Sequence, residues 1–383
     1  MIKVVEVLSD TNIGGAGRLL LTRFALCNTD MFDEHIVLPK ESELIAEFEK
    51  LGYKPHLLGF CKDRSFDVGG IIPFYRYFKN IKPDIVNCHG CLSARIAAML
   101  ARVPVRIYTR HCAYTPSSFM QKKIVKRIVR WFSVRISHKI IAVAEAAKKN
   151  LTDVGIPESI IDVIINGVIP IEKYDNKKRI QNRAELGIPQ DAFVCGICAR
   201  LEDCKGIDTM LRAARKLLRS IDDYYFIIVG KGSESLELKE LSISLGISDR
   251  VNFIGFTNDI TPYINCFDLN LNCSRGTETS SLAISEGMSI GLPCVASNWG
   301  GNPHMVRDGY NGFIFPTDDF LRLAELIEAL HDNRELYSKM SSNAYNLFCN
   351  EFNAKKMTRE TEALYYDLYL KSQERSNPEA IWK

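Results

Sequence analysis

No stretch of this 383-residue chain reaches the ~18 uninterrupted apolar residues that a membrane-spanning helix needs. The apolar run in the opening MIKVVEVLSD is also too short for the core of a signal peptide, so a cytoplasmic location is expected. Excess charge is equally scarce: 49 Lys and Arg against 46 Asp and Glu leave +3. That is too little to mark the whole protein as a nucleic-acid binder, and the distribution of charge matters more than its total. No low-complexity segment or short repeat interrupts the sequence, and 46% apolar with 25% charged residues is ordinary for a folded globular chain. Disorder, a collagen-like repeat and a coiled coil are all disfavoured.

The twelve cysteines lack the pattern of a disulfide framework. Most sit in apolar, strand-like runs such as VCGICAR and PCVAS, where reduced, buried thiols are expected. Cys88 with Cys91, and Cys195 with Cys198, have the two-residue gap of a zinc knuckle. Cys195 and Cys198 lie in an apparent strand, however, where side chains three apart point to opposite faces. The two pairs also belong to different parts of the chain, so no metal site is expected.

What is present is a rhythm. Single cores usually stop growing near ~250–300 residues, so a chain of this length is expected to form two domains. Its first half alternates β-rich runs (IKVVEVLS, EHIVLP, DIVNCH, VRIYTR) with amphipathic helical ones such as ELIAEFEKLG and ARIAAMLARV. The second half begins again with FVCGICAR, YYFIIVG, VNFIG, LNLNCS, PCVAS and GFIFP, each followed by helical or loop sequence. This is the alternation of βαβ units, and two doubly wound parallel sheets follow. The polar stretch 166–189, with Pro170 and Pro189 and no strand-like run, is expected to be a linker. Beyond Asp318 the pattern is helical, ending in an amphipathic segment from about Ala354 to Lys371.

In open α/β sheets, ligands bind beyond the carboxyl ends of the strands. The most informative such loop follows LNLNCS and reads SRGTETSSLAISEGMSIGLPCVASNWGG, with Glu278 expected in the loop and Glu286 in the next helix. Thr279, Ser280 and Ser281, with Leu282 opening the helix, put hydroxyls and backbone amides at a helix N-terminus, which suits a diphosphate. The two carboxylates can accept hydrogen bonds from sugar hydroxyls. The same residues would also serve as an ordinary helix cap beside a solvated glutamate.

These glutamates, followed by GLPCVAS and Gly300-Gly301, resemble the signature of the retaining glycosyltransferases of family 4, which have the GT-B fold. Gly14 and Gly15 resemble that family's glycine-rich loop, DIVNCHG and VRIYTRH its two histidine-ending segments, INGV its domain hinge, and RLEDCKG its basic diphosphate pair. The matches run in order across nearly the whole chain. The resemblance implies an α/β fold of the GT-B type, with two Rossmann-like doubly wound parallel-sheet domains facing a cleft. It divides the chain into an acceptor-binding domain over 1–169, a nucleotide-sugar-binding domain over 170–353 and a helix over 354–383 that crosses back to the first domain.

By the same resemblance, Arg200 and Lys205 would neutralise the donor diphosphate as charge builds on it. Glu286 would hold the nucleotide ribose, and Glu278 the hydroxyls of the transferred sugar. His111 is the candidate catalytic contact of the first domain, either bonding the donor sugar or orienting the acceptor, with Arg110 beside it and His89 after a neighbouring strand. Gly14 and Gly15 permit close backbone approach, but Leu20 occupies the third glycine of the dinucleotide fingerprint, which disfavours nicotinamide binding. Two departures stand out. His304 replaces the acid of the family's Gly-Gly-x-x-Glu, and Thr-Ser-Ser follows Glu278 in place of glycine and aromatic residues.

No Asp-x-Asp occurs in the chain, so the carboxylate pair by which the other large glycosyltransferase class holds a divalent metal is missing. Metal-independent retaining transfer by same-face displacement is expected, with no cofactor beyond the nucleotide-sugar substrate. The stretch 121–139 carries seven Lys or Arg, no acid, and interleaved Ile, Val, Trp131 and Phe132. It reads as a basic amphipathic helix, which can lie on an anionic membrane at the inner face of the cell or simply present a solvated basic side. The expected partners are a nucleotide diphosphate sugar, by family frequency a UDP-sugar, and a glycan or lipid-linked acceptor of cell-surface polysaccharide synthesis; no nucleic acid is expected. The competing expectations are a nucleotide-sugar binder without transfer activity and a GT-B nucleotide-sugar epimerase.

Overall fold

A computed structural model describes residues 1–59, 65–112 and 117–376. The chain divides into two compact units, Met1–Gly167 with Ala354–Lys383 and Val168–Asn353. The last seven residues of the expected crossing helix, 377–383, lie outside the described residues.

The first unit's described strands are β1 (Ile2–Leu8), β2 (Phe32–Pro39), β3 (His56–Leu58), β4 (Ile85–His89), β5 (Val105–Arg110), β6 (Lys139–Ala142) and β7 (Ile161–Val163). They form a parallel sheet in the order β3-β2-β1-β4-β5-β6-β7. The second unit holds β8 (Phe193–Cys198), β9 (Tyr224–Val229), β10 (Val251–Gly255), β11 (Leu269–Asn272), β12 (Cys294–Ser297) and β13 (Gly312–Phe315). These are also parallel, in the order β10-β9-β8-β11-β12-β13. Strand order reverses between β1 and β4 in one sheet and between β8 and β11 in the other. Those switch points are where this topology opens a crevice for ligands.

Side-chain alternation assigns the faces. On β1, Val5 and Val7 join an apolar cluster with Val86, Cys88, Phe74, Phe78, Ala94 and Ala97. Leu8 points the other way, into a cluster with Leu20, Phe24, Ile36 and Phe48 beneath the helix Gly15–Leu26. Glu6 shares that second face and is completely buried. In the second unit Cys195 packs into one core and Cys198 against the other, on opposite faces of β8. Cys88 and Cys91 are both buried in the apolar cluster beside Phe74.

The stretch 166–189 departs from the expected linker. It contains the helix Asn176–Glu185, capped by the Asp175 carboxylate on the Lys178 amide. Arg183 of this helix is 2% exposed and donates to the carbonyls of Ala192, Gln190 and Cys266 and to Asp268. The segment is polar because it docks through a hydrogen-bonded guanidinium, which hydrophobic patterning does not register.

The basic helix spans Lys123–Ile136, shorter than the 121–139 stretch because Lys139 already belongs to β6. The final helix, Ala354–Ser376, belongs to the first unit and places Tyr365 among its fully buried residues.

Candidate active site

In the second unit the two loops leaving the switch point meet. The loop after β8 carries Lys205 and turns into the helix Ile207–Leu217 at Gly206, whose φ is +62°. A Cβ there would lie 2.1 Å from the Cys273 carbonyl oxygen, so only glycine lets this loop lie against the one after β11. Glu278 in that second loop is 8% exposed. Its Oε2 accepts from Lys205 Nζ at 2.7 Å, Ser274 Oγ at 2.9 Å and Asn272 Nδ2 at 3.4 Å. Among the described residues its Oε1 receives no hydrogen bond. Ser281 caps the helix Leu282–Ser289 through the Ile284 amide, and Glu286 is buried within that helix.

Gly300 and Gly301 fix the backbone of this loop. A Cβ on Gly300, at φ +57°, would sit 1.9 Å from the Glu278 carbonyl oxygen, and one on Gly301 would sit 1.9 Å from that of Thr279. The Gly301 amide donates to the Glu278 carbonyl at 3.1 Å. Ser280 Oγ and His304 Nε2 are buried without a partner among the described residues, an arrangement that costs free energy until a polar group arrives. Arg200 is exposed, and Leu282 half-buried. Sequence reasoning missed Asn272, Ser274 and Asn302. Asn302 donates to Asn272 Oδ1, and Asn272 in turn donates to Glu278 and Ser281. The alternating asparagines of LNLNCS, at positions 270 and 272, were the available signal.

In the first unit β4 and β5 bring His89 and His111 together, with His89 Nδ1 2.6 Å from His111 Nε2. His89 Nε2 lies 2.8 Å from Glu6 Oε2. Glu6 Oε1 accepts from Tyr365 OH at 2.6 Å and from Arg23 at 2.7 Å, and Arg23 also pairs with Glu34. Asn87 Nδ2 donates to Tyr365 OH at 2.8 Å, and Thr109 Oγ1 donates to Asn87 Oδ1 at 2.9 Å. Arg23 holds the Glu6 carboxyl below its usual range against the opposing effect of complete burial. Burial pushes the His111 imidazole well below its ordinary value, so it is neutral at pH 7.

Arg23, Asn87, His89, Thr109 and His111 line a pocket with Leu19, Leu20, Ile141, Ile164 and Met357. Arg110 instead ties down its own surroundings, donating to Cys112 O, Tyr108 OH and Asn150 Oδ1. At Gly14 and Gly15 a Cβ would meet nothing within 4 Å, so internal packing does not demand glycine there. Sequence reasoning found both histidines but not Glu6, Arg23, Asn87 or Tyr365. The lone carboxylate in IKVVEVL was the visible mark, and its partners come from distant segments.

Comparison with known proteins follows the same division. A model described as "Glycosyltransferase Family 4" matches residues 13–170, and one described as "Glycosyl transferases group 1" matches 178–347. The chain is 28% identical over 383 residues to UDP-Gal:alpha-D-GlcNAc-diphosphoundecaprenol alpha-1,3-galactosyltransferase of Escherichia coli, covering 96% of this chain and 97% of that protein. It is 24% identical over 289 residues to N-acetyl-alpha-D-glucosaminyl L-malate synthase of Bacillus anthracis, covering 74% and 75% of the two chains. Among solved structures, Anabaena HepE in complex with UDP superposes with a TM-score of 0.82 at 22% identity, over 96% of this chain and 100% of that one. A glycosyltransferase from Rickettsia africae gives 0.81 at 19% identity, over 96% and 98%.

The two parallel-sheet units thus define a GT-B fold. The chain belongs to the family 4 glycosyltransferases and is a glycosyltransferase.

The glycine contacts make a direct test. Gly300→Ala should lower the denaturation midpoint, by the ~1–3 kcal/mol that a strained left-handed residue costs or more, because a carbonyl blocks the new methyl. Gly15→Ala, with open space around its Cβ, should unfold at or above the wild-type midpoint. Urea titrations followed by circular dichroism report both.

Proposed function

We propose that this chain is a retaining, metal-independent hexosyl- or N-acetylhexosaminyltransferase. Its donor is a nucleotide diphosphate sugar, with UDP as the favoured nucleotide, and its acceptor is a glycan or lipid-linked saccharide of cell-surface polysaccharide synthesis. The observation that carries this reading is the Lys205–Glu278 pair at the switch point of the second unit, at the mouths of two helices. A diphosphate arriving there finds the Lys205 ammonium, the exposed Arg200 and the amides of the helix that Ser281 caps. The unengaged Oε1 of Glu278 and the unpartnered Ser280 Oγ suit sugar hydroxyls, and Glu286 is assigned to the ribose.

His111 is assigned as the catalytic contact of the first unit, with His89 behind it. The Escherichia coli relative, named for a UDP-Gal donor and a diphosphoundecaprenol-linked acceptor, supports both the nucleotide and the lipid-linked acceptor. The UDP complex of the Anabaena neighbour supports the same nucleotide.

The basic helix supports a membrane-bound acceptor. Val125, Val129, Phe132 and Ile136 face inward, whereas Ile124, Ile128 and Trp131, spaced as one stripe, are 72%, 60% and 65% exposed. Lys123, Arg127, Arg130 and Arg135 are exposed around that stripe. A solvated basic face has no use for such a ridge, whereas an anionic bilayer surface accommodates both its parts. No helix among the described residues is long and apolar enough to cross a membrane, so the association proposed is peripheral.

Thermal-shift titration with UDP, GDP and their sugars tests the donor site. One nucleotide should raise the melting temperature of the wild type by mass action, and the rise should disappear in Glu286→Ala and Lys205→Ala. No shift with any nucleotide at millimolar concentration would contradict the reading.

Sedimentation with vesicles tests the helix. The full chain should pellet with vesicles containing phosphatidylserine and not with phosphatidylcholine alone. The Ile128→Ser, Trp131→Ser double variant should stay in the supernatant while keeping its nucleotide shift.

A further inference from the structure

We infer that Glu6 is a positioning residue that fixes the tautomers of both histidines and thereby leaves Nδ1 of His111 as a lone-pair acceptor for a substrate hydroxyl. The role given to that acceptor rests on the transferase reading above; the tautomers rest on the ring contacts and on the charge of Glu6.

Glu6 is ionised beside Arg23, so it only accepts hydrogen bonds. His89 Nε2, 2.8 Å from Glu6 Oε2, must therefore carry a hydrogen. Were it bare, two lone pairs would face each other inside the protein. Asn87 Nδ2, oriented by Thr109 through Oδ1, gives one hydrogen to Tyr365 OH at 2.8 Å and points its second toward His89 Nε2 at 3.2 Å, a longer contact to a neutral amide. The shorter contact to a full charge decides the tautomer.

Singly protonated, with its hydrogen on Nε2, the His89 ring has its lone pair on Nδ1. His111 Nε2 lies 2.6 Å from that nitrogen and must be the donor. His111 is neutral too, so its remaining nitrogen, Nδ1, is bare. That atom is buried and has no hydrogen-bond partner among the described residues. A bare imidazole nitrogen takes a hydrogen bond from a hydroxyl and repels a phosphate or carboxylate oxygen. The first unit therefore presents a neutral acceptor for sugar hydroxyls, and anionic groups are excluded from it.

The other two donors to Glu6 give the proposal its test. Tyr365 and Arg23 both donate to Oε1. In Glu6→Gln they retain the amide oxygen, which turns the amide NH₂ toward His89 Nε2. His89 must then accept at Nε2 and donate from Nδ1, His111 must accept at Nε2, and its Nδ1 gains the hydrogen. One buried substitution inverts both rings without touching either.

The experiment is a long-range proton–nitrogen correlation spectrum of the ¹⁵N-labelled full chain, with the two rings assigned from His89→Gln and His111→Gln. In the wild type both rings should show protonated Nε2 and bare Nδ1; a protonated Nδ1 on His111 overturns the proposal. In Glu6→Gln both should switch to protonated Nδ1, and kcat should fall by roughly 10²–10⁴-fold, as for other lost acid–base contacts and wrong tautomers, with little change in donor KM. A folded Glu6→Gln with wild-type tautomers or wild-type kcat overturns it as well. If that variant does not fold, the wild-type tautomers alone decide. Because the nitrogen shifts are read without donor or acceptor, the expected tautomers in a chain that transfers no sugar would uphold the assignment and count against the transferase reading alone.

Discussion

A carboxylate placed in the middle of a parallel sheet must be compensated, and in the first unit that requirement organises everything near the candidate site. Glu6 is fully buried on β1 and is held by Arg23 from the first helix, Tyr365 from the last and His89 from β4. Removing one partner of such a buried pair typically costs about 3–5 kcal/mol, against ~0–1 kcal/mol for exposed pairs. The interaction therefore has the weight to specify where the chain's final helix docks. The same carboxylate sets the hydrogen-bond direction through His89 to His111. One group thus links the last helix of the chain to the chemistry of a loop after β5.

The second unit meets a similar demand with different means. Glu278 is nearly buried, yet it lies in a loop and its partners, Lys205, Ser274 and Asn272, engage only one of its oxygens. Glycines at 206, 300 and 301 let backbone pack against backbone around this loop. The first unit spends its polar residues on a closed relay that ends in one bare nitrogen. The second leaves several groups unsatisfied, which is what a site for a large polar ligand requires.

Much of this was legible in the sequence, for identifiable reasons. Strands such as YYFIIV and IVNCH are short apolar runs between helical patterns, and the parallel sheets follow from that alternation. Glu286 in a helix, Glu278 before it and the two histidines at strand ends were readable because they sit where α/β loops place functional groups. The helix Asn176–Glu185 was not, because Arg183 is buried by hydrogen bonds to carbonyls while looking solvent-seeking in sequence. Nor was the relay. Polar residues at alternate positions, Asn87 with His89 and Thr109 with His111, hinted at a shared polar face. Only the register, with Glu6 beside Asn87 and His89 beside Thr109, joins them. Tyr365, more than 350 residues from Glu6, left no local trace.

The central claim is that the switch point of the second unit holds the donor nucleotide, and a crystal structure of the full chain with UDP tests it most directly. The account predicts the diphosphate within hydrogen-bonding distance of Lys205 Nζ and the Arg200 guanidinium, with the ribose hydroxyls on Glu286. A nucleotide bound away from the loops after β8 and β11, or one whose phosphates leave Lys205 and Arg200 untouched, would contradict it.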